Sequence, residues 1–123
     1  MKRTPLIAGN WKMFKTCSEA VETAKRLAEL VQNITDINIM IAPSFTSLAL
    51  VSETLKHINN IVNVGAQNLF YQKEGAYTGE ISATMLKSAG VSYVIIGHSE
   101  RRQYFGETNE DVCRKIRASV ESN

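Results

Sequence analysis

The sequence predicts an α/β fold in which four consecutive βα units build a parallel sheet. Three observations predict it. Short apolar runs rich in Ile and Val recur along the chain, as in strands covered by helices on one face and filled by side chains on the other. Between them, apolar residues return at helical spacing. The intervening lengths suit the crossovers that parallel strands require.

The elements follow in order. Pro5 to Asn10 reads as a short strand ending in Gly-Asn. Thr16 precedes Glu19 by three positions, a capping-box spacing. Ala20, Val21, Ala24, Leu27, Ala28 and Val31 then mark an amphipathic helix ending near Asn33. Ile37 to Ala42 is the second strand, stopped by Pro43. Thr46 can open a second helix with Leu48, Val51, Leu55 and Ile58 on one face. Ile61 to Ala66 is the third strand, followed by a Gly- and Tyr-rich loop from Gln67 to Glu80. Ser82 to Ala89 suits a short helix that Gly90 stops. Val91 to Ile96 is the fourth strand, and a polar turn with some helix runs from Gly97 to Gly106. Thr108 or Asn109 caps a last helix, with Val112, Ile116 and Val120 expected inward.

Bulk properties exclude several classes. The 123 residues suit one domain, and 44% hydrophobic with 21% charged residues is an ordinary globular balance. The net charge of +2 is spread without a basic block, so no nucleic-acid partner is expected. No apolar run approaches a membrane span, so no membrane partner is expected either. Asn10 and Lys12 interrupt the apolar stretch behind Met1-Lys2-Arg3-Thr4-Pro5, so no secretory signal is expected. Cys17 and Cys113 then read as reduced thiols in a cytoplasmic protein, each a small packed side chain.

Four βα units fit an open, doubly wound sheet or part of a (β/α)8 barrel, and pattern alone does not separate them. In both, function sits at the carboxyl ends of the strands. There the chain places Gly9-Asn10-Trp11-Lys12, Gly65-Ala66-Gln67-Asn68 and Gly97-His98-Ser99-Glu100-Arg101-Arg102. Lys12 is suited to an anionic substrate group, or is an exposed lysine. Asn10 holds that lysine or a substrate oxygen, or is a turn residue. His98 at a strand end suits a neutral hydrogen-bond donor to a developing oxyanion, or is a structural histidine. Glu100 is a base or a supporting carboxylate, or an ion-pair partner of Arg101, Arg102 or Lys12. His57 reads as a solvated helix-end residue. P-loop, GxGxxG and GxSxG patterns are absent. A lone strand-end histidine is a poor metal site, so no metal is expected.

Four blocks carry a resemblance. Ala8-Gly9-Asn10-Trp11-Lys12-Met13, Gly65-Ala66-Gln67-Asn68, Gly75-Ala76-Tyr77-Thr78-Gly79-Glu80-Ile81-Ser82 and Tyr93-Val94-Ile95-Ile96-Gly97-His98-Ser99-Glu100-Arg101-Arg102 resemble the triose-phosphate isomerase family in order and spacing. The match spans essentially all 123 residues but only the first half of the family's length. It implies a single incomplete domain over residues 1–123, the N-terminal half of a TIM barrel. It also implies a glycolytic and gluconeogenic isomerase that interconverts dihydroxyacetone phosphate and glyceraldehyde 3-phosphate through an enediolate, without a cofactor. By resemblance, Lys12 binds the substrate and offsets its charge, Asn10 helps to position it, and Glu100 supports. His98 is the electrophile, a neutral-histidine role borrowed from this family, which is its standard example. Gln67, Asn68, Thr78, Glu80 and Arg101 become interface candidates.

The family's glutamate base and its phosphate loops fall outside this half. The chain alone is therefore expected to have little or no isomerase activity. Its expected partners are a triose phosphate and either further copies, as a homo-oligomer, or a complementary second half-barrel. The alternative is a non-catalytic half-barrel that assembles with itself or with a separate second half. An unrelated flavodoxin-like binding domain would leave the four blocks unexplained.

Overall fold

The computed structural model describes residues 3–58 and 61–122. Met1, Lys2, Asn59, Asn60 and Asn123 lie outside the described residues, and with them the first residues of the charged N-terminus and the last residue of the chain.

Four parallel strands form one curled sheet in the order β1-β2-β3-β4: β1 (Leu6–Asn10), β2 (Asn38–Ala42), β3 (Val62–Ala66) and β4 (Tyr93–Val94). Ile39 pairs with Val62 and Ile41 with Val64. Side chains alternate across a strand, so these four share a face. They pack there against α1 (Cys17–Val31) and α2 (Phe45–His57), on Ala20, Ala24 and Ala28 of the first and Leu48, Val51 and Leu55 of the second. Small alanines on α1 let it lie close against α2. Met40 points to the other face and is also buried. Gly65 makes room for it, because a β-carbon there would lie 2.6 Å from Met40 Sδ. Both faces are thus filled in the middle of the sheet.

The edges differ. On β1, Leu6 is 43% and Ile7 60% exposed. The fourth strand is shorter than the expected Val91 to Ile96: only Tyr93 and Val94 form ladder pairs, with Ser92 and Ile95 donating to Val64 and Ala66 carbonyls on either side. Among the described residues it has a neighbour on one side only, so ladder pairing is limited to what β3 offers.

Local chemistry sets the helix ends. At α1 the Glu19 carboxylate accepts from the Thr16 N–H at 2.7 Å and from its hydroxyl. These bonds, the backbone one foremost, hold the Glu19 carboxyl below its usual range. The second helix begins one residue before Thr46, at Phe45, with Ser44 as its N-cap. Ile58, expected on its apolar face, falls beyond its end and is 45% exposed. A short α3 (Ala83–Ser88) is capped by Ser82, whose hydroxyl accepts from Met85 N–H, and is stopped before Gly90 at φ +82°. Then come α4 (Ser99–Phe105), closed by left-handed Gly106, and α5 (Asn109–Glu121). Thr108 caps α5: its hydroxyl accepts from Asp111 N–H, and the Asp111 carboxylate accepts from Thr108 N–H. Thr108→Ala is expected to cost about 1 kcal/mol, read as a lower urea midpoint with unchanged slope. An unchanged midpoint would show that this cap contributes nothing.

Two expectations fail on α5 and the thiols. Ile116 and Val120 are 48% and 63% exposed, and Val112 is half-buried. The buried residue of this helix is Lys115. The helix is turned so that Lys115 meets buried oxygens, which carries the apolar stripe outward. Cys17 and Cys113 are free thiols but exposed rather than packed. His57 is exposed beside Glu53, as its helix-end position predicts.

Candidate active site

The end of β1 and the start of α4 meet above the carboxyl edge of the sheet. Lys12 follows β1 and adopts a left-handed backbone, φ +53°, which non-glycine residues rarely take. The Asn10 side-chain oxygen accepts the Lys12 N–H at 2.9 Å, a local bond that favours such a turn. The Lys12 ammonium crosses to α4 and donates to Glu100 Oε1 at 2.6 Å, linking residues 88 apart in sequence. Both side chains stay more than 40% exposed, so the pair adds little stability. Its effect is on placement. The lysine hydrogen bond holds the Glu100 carboxyl below its usual range despite some desolvation. A carboxylate held this way is a weak base, which fits Glu100 to a supporting role. Of the partners considered for it, the structure selects Lys12 over Arg101 and Arg102.

His98 is the N-cap of α4, and its Nδ1 accepts the Glu100 backbone N–H at 3.1 Å. The Glu100 carboxylate is 3.7 Å from the same nitrogen, too far for a hydrogen bond. With Nδ1 committed as an acceptor, the neutral ring carries its proton on Nε2. That leaves an N–H free to polarise a carbonyl oxygen. Asn10, Lys12, His98 and Glu100 are therefore gathered at one edge. No helix among the described residues is long and apolar enough to cross a membrane.

The interface candidates separate. Thr78 and Glu80 are exposed in the loop after β3. Tyr77 in that loop packs against Phe70, with ring centroids 4.7 Å apart. Gln67, Asn68 and Arg101 are engaged within the chain. The Gln67 side chain donates to the Lys12 and Ala42 carbonyls at 2.8 and 2.9 Å. Asn68 is buried and accepts from Lys115 at 2.9 Å. Arg101 donates to Glu107 Oε2 at 2.9 Å.

Glu107 and Lys115 carry no signal in the sequence. Both are buried and joined at 2.7 Å. Burial alone would raise the Glu107 pKa, but the hydrogen bonds from Lys115 and Arg101 outweigh it and hold the carboxyl below its usual range. Through Arg101 and Asn68 this pair braces α4 and the end of β3, the two segments that bear His98 and Gln67. No local pattern announces it, because Lys and Glu on a helix and its lead-in ordinarily signal solvent.

Comparison with known proteins identifies the family and the fold. The family described as triosephosphate isomerase matches residues 5–123. A triosephosphate isomerase of Geobacter metallireducens is 56% identical over 118 residues, which cover 96% of this chain and 46% of that protein. One of Dictyoglomus thermophilum is 51% identical over 117 residues, covering 95% and 46%. The crystal structure of triosephosphate isomerase from Bartonella henselae superposes with a TM-score of 0.89 at 37% identity, covering 98% of this chain and 48% of that one. The chain spans about half the length of the relatives it matches. The four-strand sheet is thus a TIM-barrel fragment.

Proposed function

Since this chain belongs to the triosephosphate isomerase family, we propose that it supplies one half of an active site that interconverts dihydroxyacetone phosphate and glyceraldehyde 3-phosphate. The observation that carries this reading is the meeting of Lys12 with the His98–Glu100 turn across the sheet edge, at 2.6 Å. In the proposed reaction Lys12 attracts the anionic substrate and offsets charge that develops on its oxygens. Asn10 fixes the lysine turn. His98 donates from Nε2 to the carbonyl oxygen, and its proton stabilises the enediolate formed when a base removes the adjacent carbon-bound proton. Glu100, bound to Lys12 and of low basicity, does not serve as that base. The base and the phosphate grip belong to the part of the family's length that this chain does not span. The domain over residues 1–123 is in this reading an incomplete barrel, and its partner is a complementary second half.

The test is a coupled assay of triose phosphate isomerisation. The chain alone is expected to turn over at least about 10²-fold more slowly than a complete family enzyme, because it lacks the general base. Mixed with the remaining half of a relative's sequence, it is expected to recover activity. Turnover by the chain alone at the rate of a complete enzyme would overturn the reading, as would a stable mixed complex with none.

The exposed Leu6 and Ile7 on β1 favour a second reading, a half-barrel that pairs with another copy of itself. Light scattering separates the two: a discrete dimer that persists in the presence of the second half supports self-assembly.

A further inference from the structure

Lys12 is held at three points. Asn10 takes its N–H and Glu100 takes its ammonium. The third point is its carbonyl, and the group that holds it is Gln67, at the end of β3. We propose that Gln67 is a positioning residue for Lys12: its carboxamide clamps the Lys12 carbonyl to the end of β2 and so keeps the lysine in the left-handed turn that aims its ammonium across the sheet. The proposal rests on the substrate-binding role proposed for Lys12, and it goes beyond a place for Gln67 in an interface.

The geometry is specific. A carboxamide has two N–H bonds forking from one nitrogen. Here Nε2 reaches Lys12 O at 2.8 Å and Ala42 O at 2.9 Å. Both partners are carbonyls, which only accept, so the nitrogen and not the oxygen faces them. The Ala42 carbonyl also accepts Trp11 N–H at 3.1 Å. Gln67, Ala42, Trp11 and Lys12 therefore form one hydrogen-bonded link across the ends of β3, β2 and β1. Within it Lys12 is the residue with the costly backbone. A left-handed lysine persists only where its surroundings hold it. The Asn10 bond acts on the near side of that residue and the Gln67 bond on the far side. With the carbonyl released, the Lys12 backbone can relax to negative φ, which swings the side chain away from Glu100.

The experiment reads Lys12 through Glu100, independently of catalysis. In the intact chain, the Glu100 carboxyl is titrated by carbon-detected NMR in the parent, Gln67→Leu, Gln67→Asn, Lys12→Met and Gln67→Leu/Lys12→Met chains. Leucine removes both donors, and asparagine is too short to reach both carbonyls. Lys12→Met is expected to raise the Glu100 pKa toward the ordinary glutamate range, because the lysine hydrogen bond is what lowers it. Gln67→Leu and Gln67→Asn are expected to raise it in the same direction. In the Lys12→Met background Gln67→Leu is expected to change it no further. A Gln67 variant with the parent circular dichroism and an unmoved Glu100 pKa overturns the proposal, and so does a shift that persists without Lys12. Should neither variant fold, the parent chain decides: couplings across the hydrogen bonds from Gln67 Nε2 to the Lys12 and Ala42 carbonyl carbons support the clamp, and their absence overturns it. None of these readouts uses turnover, so failure of the isomerase reading leaves them interpretable.

Discussion

Replacing Glu107 by alanine is expected to destabilise the fold by about 3–5 kcal/mol, the cost of leaving a buried charge without its partner. Lys115 is 5% exposed and would keep only the neutral Asn68 oxygen as an acceptor. Arg101 would lose its carboxylate partner but is partly exposed and can turn to water. The loss therefore falls mainly on Lys115. A double variant, Glu107→Leu with Lys115→Met, is expected to recover most of it, because replacing both members by apolar groups removes the desolvation cost with the attraction. Urea unfolding followed by circular dichroism measures both. A Glu107→Ala midpoint close to that of the parent would mean the pair is dispensable.

The same residue fixes an acid dependence. Glu107 is held below its usual range when folded. Its contribution is therefore fully present above the unfolded value, about 4.3, and is lost as pH falls through the lower folded value. In Glu107→Gln this part of the acid loss should disappear. An identical acid profile in that variant would assign the loss to other carboxylates, such as the capping Glu19 and Asp111, which are also held low.

Lys12→Met is expected to reduce by roughly 10²–10³ the isomerase activity restored with a second half-barrel, the usual effect of removing one group aimed at developing negative charge. The lysine ammonium is the cation that pairs with Glu100 in the His98–Glu100 turn. Methionine keeps the unbranched apolar stem out to Cε and lacks only the ammonium beyond it, so the change isolates the charged group. Lys12→Arg is expected to restore only part of the loss, since a planar guanidinium carries its charge differently from a compact ammonium. Loss in KM alone would assign Lys12 to substrate capture. An equal fall in kcat and kcat/KM would assign it to the transition state. Full activity in the methionine variant would remove Lys12 from the proposed mechanism.

Much of the fold was legible because its signals are local. Thr16 with Glu19, Ser82 before Ala83 and Thr108 with Asp111 mark helix starts by chemistry that acts over three residues. Ile39, Ile41, Val62 and Val64 reveal buried strands by composition alone. The strand-end rule then led to Asn10, Lys12, His98 and Glu100, and the four sequence blocks supplied the family. What stayed hidden depends on contacts distant in sequence. Helical periodicity predicts Ile116 and Val120 inward, but α5 turns Lys115 toward Asn68 and Glu107 and leaves both exposed. The two hydrogen bonds donated by Gln67 link three strand ends and have no sequence signature. The length of β4 is likewise a matter of what lies beside it.

The order of the sheet has one more consequence. Among the described residues each strand pairs with the next strand along the chain, 23 to 32 residues away, so each of these loop closures is of moderate cost. A nascent polypeptide leaving the ribosome can therefore add one βα unit at a time, N-terminus first. Within this chain β1 is in place first, and its Leu6 and Ile7 stay exposed until a further element covers them, so this edge is where a growing chain is open to wrong pairing.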